Sequence, residues 1–147
     1  MMRDVVLTFF KSEGIEVVKE EGSVLHLAFT GETARFRGIA SVDENISVLS
    51  FYSLCPVAVP KQHMTRALEL VSRLNFGHML GNLELDVDSG QIRFKTSLDV
   101  EGEELTEGLV ANLVYANIAS MEQMLPAIRA VIVDEMNIGD AIRTLMS

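Results

Sequence analysis

The stretch 82–98, NLELDVDSGQIRFKTSL, constrains the fold more than any other part of the chain. Apolar and polar residues alternate on both sides of Asp-Ser-Gly, a turn signal, and such alternation marks strands with one buried and one wet face. A two-residue turn at Ser89-Gly90 pairs Val87 with Ile92, Leu85 with Phe94, Asp86 with Arg93 and Glu84 with Lys95. Apolar then meets apolar on one face and opposite charges meet on the other, as a half-buried antiparallel hairpin requires. Moving the turn by one residue changes the partners but keeps the faces.

The remaining chain supplies more strands and the helices to cover them. Residues 2–13 read as an amphipathic helix through Val5, Val6, Phe9 and Phe10, with Gly14 placed to cap it. Four strands follow at 15–19, 24–30, 33–41 and 46–53, separated by Glu-Gly, Gly-Glu and Asp-Glu-Asn turns. The segment 61–75 after Pro60 is a helix with Met64, Ala67, Leu68, Val71 and Leu74 as its inner stripe and Gly77 as its stop. Thr106 is a candidate N-cap for a long helix through Val110, Val114, Asn117, Met121, Ile128 and Val131, which Pro126 is expected to kink or divide. A short helix closes the pattern at 140–146. The order α-β-β-β-β-α-β-β-α, before that last helix, predicts an α+β fold, helices packed on an antiparallel sheet, in a single domain over 1–147.

Charge narrows the partners. With 12 basic and 21 acidic side chains the net charge is −9, a poor footprint for nucleic acid or for an anionic membrane surface. The lone cysteine makes no internal disulfide, and the six-residue apolar run Val5–Phe10 is too short for a signal peptide or a membrane span, so a cytoplasmic protein is expected. Hydrophobic side chains make up 48% of the chain and there are ten glycines, an apolar share slightly above that of an ordinary domain. That surplus fits a subunit or partner interface.

Chemistry finds little purchase. Residues 86–90, DVDSG, begin like a calcium loop, but the fifth position is Gly90 and the twelfth is Ser97, so the ligand spacing fails. His26, His63 and His78 are isolated, without the spacing of a zinc or iron site. Cys55, within SFYSLCPVAVP, has no neighbouring base or cation in sequence and reads as packing where a strand meets Pro56 and Pro60. Four of the eight methionines, Met79, Met121, Met124 and Met136, read as core or dimer contacts before a partner groove. No catalytic residue, metal ligand or cofactor site is assigned. Two features are candidate partner or ligand surfaces. Arg35 and Arg37 share one strand face and suit a carboxylate or phosphate. Glu101, Glu103 and Glu104, in an acidic run from Asp99 to Glu107, suit a basic segment.

The stretches FYSLCPVAVP, NFGHMLGNLELDVDSGQIRFKTSLDVEGEEL and LVYANI together resemble the YbjN-domain family, over about residues 15–135. That family is described as a bacterial sensory transduction regulator and is similar in fold to type III secretion chaperones, small acidic α+β proteins that dimerise and bind polypeptide segments. The resemblance implies no catalytic residue and no cofactor. Those chaperones carry three strands before the middle helix where four are read here, so 17–19 is expected to be a short edge strand. The expected function is a non-catalytic regulatory or protein-interaction module, homodimeric and with a protein partner. The alternative is a small-ligand sensor with a pocket between sheet and long helix, Arg35 or Arg37 orienting an anion.

Overall fold

The structure, a computed structural model, describes residues 1–146. Its elements are α1 (Met2–Ser12), β1 (Glu16–Glu21), β2 (Val24–Thr30), β3 (Arg35–Asp43), β4 (Val48–Leu54), α2 (Met64–Asn75), β5 (Asn82–Leu85), β6 (Ile92–Asp99), α3 (Glu107–Ile132) and α4 (Ile138–Met146). The six strands form one antiparallel sheet in the order β1-β2-β3-β4-β6-β5. β1 to β4 make a meander; α2 then carries the chain past β6 to the far edge. The fold is α+β, as the pattern predicts.

One face of the sheet is dry. Leu25, Leu27 and Phe29 of β2, Phe36 and Ala40 of β3, Phe51 of β4 and Phe94 of β6 are all buried, while their neighbours along each strand are not, apart from Ser50 beside Phe51. Helix α1 lays Val6, Phe9 and Phe10 over this core. It starts on a tertiary cap, the Glu44 carboxylate accepting from the Met2 and Arg3 amides (3.1 and 3.3 Å). It ends as expected: Gly14 takes φ +70° and the Ile15 amide donates back to the Phe10 carbonyl at 3.0 Å.

Helix α2 departs from its expected stripe. The buried residues are Ala67, Leu70, Val71 and Leu74, spaced i, i+3, i+4, i+7, whereas Leu68 is 47% exposed. Both leucines fit an amphipathic pattern; the rotation is set by which side meets α3 and β5. Leu70→Ala should therefore cost about 2–5 kcal/mol, and Leu68→Ala less than about 0.5 kcal/mol. Urea midpoints of the two variants test the assignment; equal losses would contradict it.

The hairpin keeps its faces but not its register. Leu85 pairs with Ile92, Glu84 with Arg93, Leu83 with Phe94 and Asn82 with Lys95. The expected pairing is thus displaced by two residues, and residues 86–91 form a closed loop instead of a tight turn. Asp86 organises it: its carboxylate accepts from the Asp88 amide and the Ser89 hydroxyl (3.0 and 2.8 Å), and its carbonyl from the Gly90 amide (2.8 Å). The Ser89 hydrogen bond, first among several, holds the Asp86 carboxyl below its usual value. Gly90 is also pinned from outside, since its carbonyl accepts from Val59 at 2.9 Å and its φ is +80°. A β-carbon there would lie 2.2 Å from the Val59 carbonyl oxygen, so only glycine fits.

Helix α3 starts at Thr106, whose hydroxyl accepts from the Leu109 amide at 3.2 Å. It runs unbroken to Ile132 with Pro126 inside it. The expected division does not occur, because Met124, Leu125, Ala127 and Ile128 around the proline are buried and hold the helix in place. At its centre lies Asn117, fully buried. Its amide donates to the Phe51 and Phe94 carbonyls (both 2.8 Å) and to the Thr96 hydroxyl (3.2 Å), and its oxygen accepts from the Ser53 hydroxyl. Thr96 in turn donates to the Leu113 carbonyl at 3.0 Å. Among the described residues no buried side-chain nitrogen or oxygen is left without a partner.

Candidate interaction surfaces

The second face of the sheet is packed against no helix. Across it run two rows set by the strand register: His26, Ile39, Tyr52 and Lys95 in one, Ala28, Arg37, Leu54 and Arg93 in the next. Its acids are engaged. Glu16 lies 3.7 Å from Arg35, Glu84 2.7 Å from Arg93, and Glu21 near Lys19 and His26 (2.9 and 3.1 Å). Lys19, first, and His26 hold the Glu21 carboxyl below its usual value. The Arg93 guanidinium also covers the Tyr52 ring at 4.2 Å. Arg37 and Lys95 have no acidic partner among the described residues.

The predicted acidic candidates lie elsewhere. Glu101, Glu103 and Glu104 are exposed in the loop after β6, anchored by buried Val100 and Leu105. Asp99 pairs with Val48 and that residue with Asp43, at the opposite end of β3 from Arg35. The structure does not bring the arginine and glutamate candidates together; the length of β3, about 3.3 Å per residue, separates them. Nor do Arg35 and Arg37 line a pocket under α3, because β3 turns them to the face away from that helix. The sheet–α3 interface is filled by core. A cleft of about 700 Å³ at its margin is lined by Thr30–Thr33, Tyr115, Ile118 and Glu122, without an arginine.

A third surface includes Met79, one of the methionines read from the sequence as a core or dimer contact, which is not in the core. Between α2 and β5, Phe76 is 91%, Met79 93% and Leu80 66% exposed. No charged side chain occurs from Leu74 to Leu83. His78 points inward, its Nε2 3.1 Å from the Ser120 hydroxyl and its ring edge-on to Phe94. Asn75 closes the adjacent sheet edge: its side chain accepts from the Leu83 amide and donates to the Leu83 carbonyl (2.7 and 3.0 Å). The signal in the sequence was an uncharged run between Gly77 and Gly81, but an apolar run alone reads as core.

Cys55 is buried at the end of β4, its amide donating to the Ile92 carbonyl at 2.8 Å. Burial pushes its thiol up from the usual value, against smaller opposing effects of Val57 and Arg129. The histidines are engaged away from it, His63 with Glu135 (3.2 Å), His78 with Ser120 and His26 with Glu21. Because the fold holds the Cys55 proton more tightly than the unfolded chain, its contribution is complete below the ordinary thiol pKa and is lost as pH rises through the higher folded value. Stability should therefore fall at alkaline pH, more steeply than in a Cys55→Ala variant. The native thiol should also react with a disulfide reagent only as fast as the chain opens; immediate stoichiometric reaction would contradict this.

Among the described residues no group of three or more His, Cys, Asp or Glu is placed to hold a metal ion. No helix among them is long and apolar enough to cross a membrane.

Comparison with known proteins agrees with this architecture. The model of the YbjN family, described as "Putative bacterial sensory transduction regulator", matches residues 2–130. The crystal structure of YbjN from E. coli, "a putative transcription regulator", is similar at 15% identity and TM-score 0.63, covering 84% of this chain and 87% of that one. The HopA1-SchA chaperone-effector complex is similar at 20% identity and TM-score 0.54, covering 84% and 91%. The Yersinia pestis type III secretion chaperone SycH, in complex with a stable fragment of YscM2, is similar at 10% identity and TM-score 0.52, covering 83% and 98%. At such identities the likeness is one of fold. No protein of curated function matches the chain in sequence.

Proposed function

The chain belongs to the YbjN family, and from that premise we propose that it is a non-catalytic interaction module: a homodimer that binds a polypeptide segment of another protein. The observation that carries the reading is the exposed, uncharged segment from Phe76 to Leu80. Three large apolar side chains in water cost several kcal/mol of lost burial, and monomeric proteins rarely display such a patch. An acidic chain associates with itself most readily where it presents no charge, and this is such a place. The two sheet edges support the assignment. β1 is bulged between Val17 and Lys19 and lined with charge, which protects an edge. The β5 edge is closed by Asn75, so association there joins side chains and not strands.

Structural neighbours that hold effector proteins or protein fragments support the second half of the reading by analogy of fold. Light scattering is the first test, with a mass of twice 16.2 kDa expected across micromolar concentrations. The monomer mass throughout would refute the dimer. Affinity capture from native lysate is the second: a stoichiometric partner supports the module, and repeated recovery of the bait alone overturns it.

A further inference from the structure

We infer that the helix-free face of the sheet is a docking site for an extended acidic segment of a partner protein, one that places an apolar side chain between two carboxylates. The inference rests on the interaction-module reading and adds the chemistry of the partner.

The charge on this face is unusual for the chain. Elsewhere acids outnumber bases; on this face Glu16, Glu21, Glu84, Asp43 and Asp99 are matched in number by Lys19, Arg35, Arg37, Arg93 and Lys95, and the three glutamates are paired. Glu16, Glu21 and Glu84 lie against Arg35, Lys19 and Arg93. Asp43 and Asp99 accept from the backbone amides of Asn45 and Glu101 at 3.0 and 2.9 Å. Arg37 and Lys95 remain, flanking Ile39, Tyr52 and Leu54, which are half-buried and packed under no helix, Tyr52 being covered only by Arg93. A cation that keeps no acid in a protein of net charge −9 is available to a carboxylate from outside, and two such cations around an apolar centre select by charge and by burial together.

Register gives the spacing. Arg37 on β3 and Lys95 on β6 are two strands and one two-residue step apart. With strands about 4.8 Å apart and about 3.3 Å per residue, their backbones are about 12 Å from each other. In an extended segment, residues i, i+2 and i+4 point the same way and span about 13 Å. The fitting ligand is therefore acid-x-apolar-x-acid. Single-stranded nucleic acid also joins negative charge to flat rings, but two isolated cations do not track a continuous phosphate backbone, and Arg93 already occupies one face of Tyr52.

The test is an NMR titration of the intact chain with the peptide Gly-Ser-Glu-Ser-Leu-Ser-Glu-Ser-Gly. Amides at 37–39, 52–54 and 93–95 should move, and the apparent Kd should weaken about tenfold from low to high salt. A lysine-for-glutamate peptide should leave them unmoved. The Arg37→Glu/Lys95→Glu protein, altered only at surface positions, should reverse this preference and keep its oligomeric mass. Equal response to both peptides, movement confined to other surfaces, tighter binding of an eight-residue oligothymidylate, or unchanged affinity in the charge-reversed protein would each overturn the inference. A partner captured from lysate that binds the charge-reversed protein undiminished removes this site while leaving the module intact. A monomer that captures nothing removes the module itself, so the two failures are distinguishable.

Discussion

Replacing Asn117 with alanine should lower the unfolding free energy by about 3 kcal/mol, and replacing it with leucine should do no better. The side chain is fully buried and bridges β4 and β6 from above, donating to one backbone carbonyl on each. Removal leaves the Ser53 hydroxyl facing apolar atoms, at about 1–3 kcal/mol for a group that finds no other partner, opens a cavity, and takes a second donor from the two carbonyls, which keep their places in the β4–β6 ladder. Thr96 suffers less, since it keeps the Leu113 carbonyl. A loss of 3 kcal/mol in a chain of this size corresponds to roughly 10 °C in Tm. Calorimetry on both variants measures it, and an Asn117→Leu protein as stable as the unaltered chain would show the network to be dispensable. A sharper outcome follows from the cause. If the loss comes from stranded partners, adding Ser53→Ala to Asn117→Leu should recover part of it, because the hydroxyl that lost its acceptor is gone. The same network locks α3 to the register of β4, and Tyr52 lies between Phe51 and Ser53 on that strand. An asparagine on the covered face thereby positions the aromatic on the open one.

These residues show what could be read from the sequence and what could not. The alternation in 24–30 placed Leu25, Leu27 and Phe29 on one buried face because period two is a local property of a strand. Arg35 and Arg37 were placed on a common face for the same reason. Which face α3 covers depends on the path of the whole chain, so the pocket expected between them and that helix was not legible. The hairpin failed in register by two residues, a shift that preserves the side of every side chain; what decided it was Val59, over thirty residues away, approaching Gly90. Asn117 fell on the inward stripe of the long helix, but its acceptors come from two strands distant in sequence. Helix α2 offered two leucines of equal hydrophobicity, and only the packing of α3 and β5 distinguishes Leu68 from Leu70. Phe76 and Met79 are the most instructive. Large apolar residues are ordinarily read as core, and nothing local reveals that the chain has turned them outward.

That outward turn carries the second large effect. Phe76→Asp/Met79→Asp should convert the proposed dimer to a monomer while leaving Tm measured on the monomer unchanged. In a two-fold interface each substitution acts twice. Losing four apolar side chains at about 1.5 kcal/mol apiece removes about 6 kcal/mol, close to ten-thousandfold in dimer Kd, and burying carboxylates in their place adds to the penalty. Sedimentation equilibrium reads the shift directly. The monomer's own fold has little at stake, since both side chains are over 90% exposed and contribute almost no burial to the core. A variant that loses its fold would show that the loop is packed in a way its exposure denies. A variant that dimerises as well as the unaltered chain would place the interface elsewhere. Asn75→Ala provides the contrasting case. It uncovers the Leu83 amide at the β5 edge and leaves the Leu83 carbonyl with the Asn82 side chain as its donor (3.2 Å), and an edge strand with a free backbone amide is a template for pairing. This variant should associate further as its concentration rises, in a manner that Phe76→Asp does not abolish, because strand pairing needs no apolar patch. The two variants thus separate an interface of side chains, which the native chain presents, from one of backbone, which Asn75 denies it.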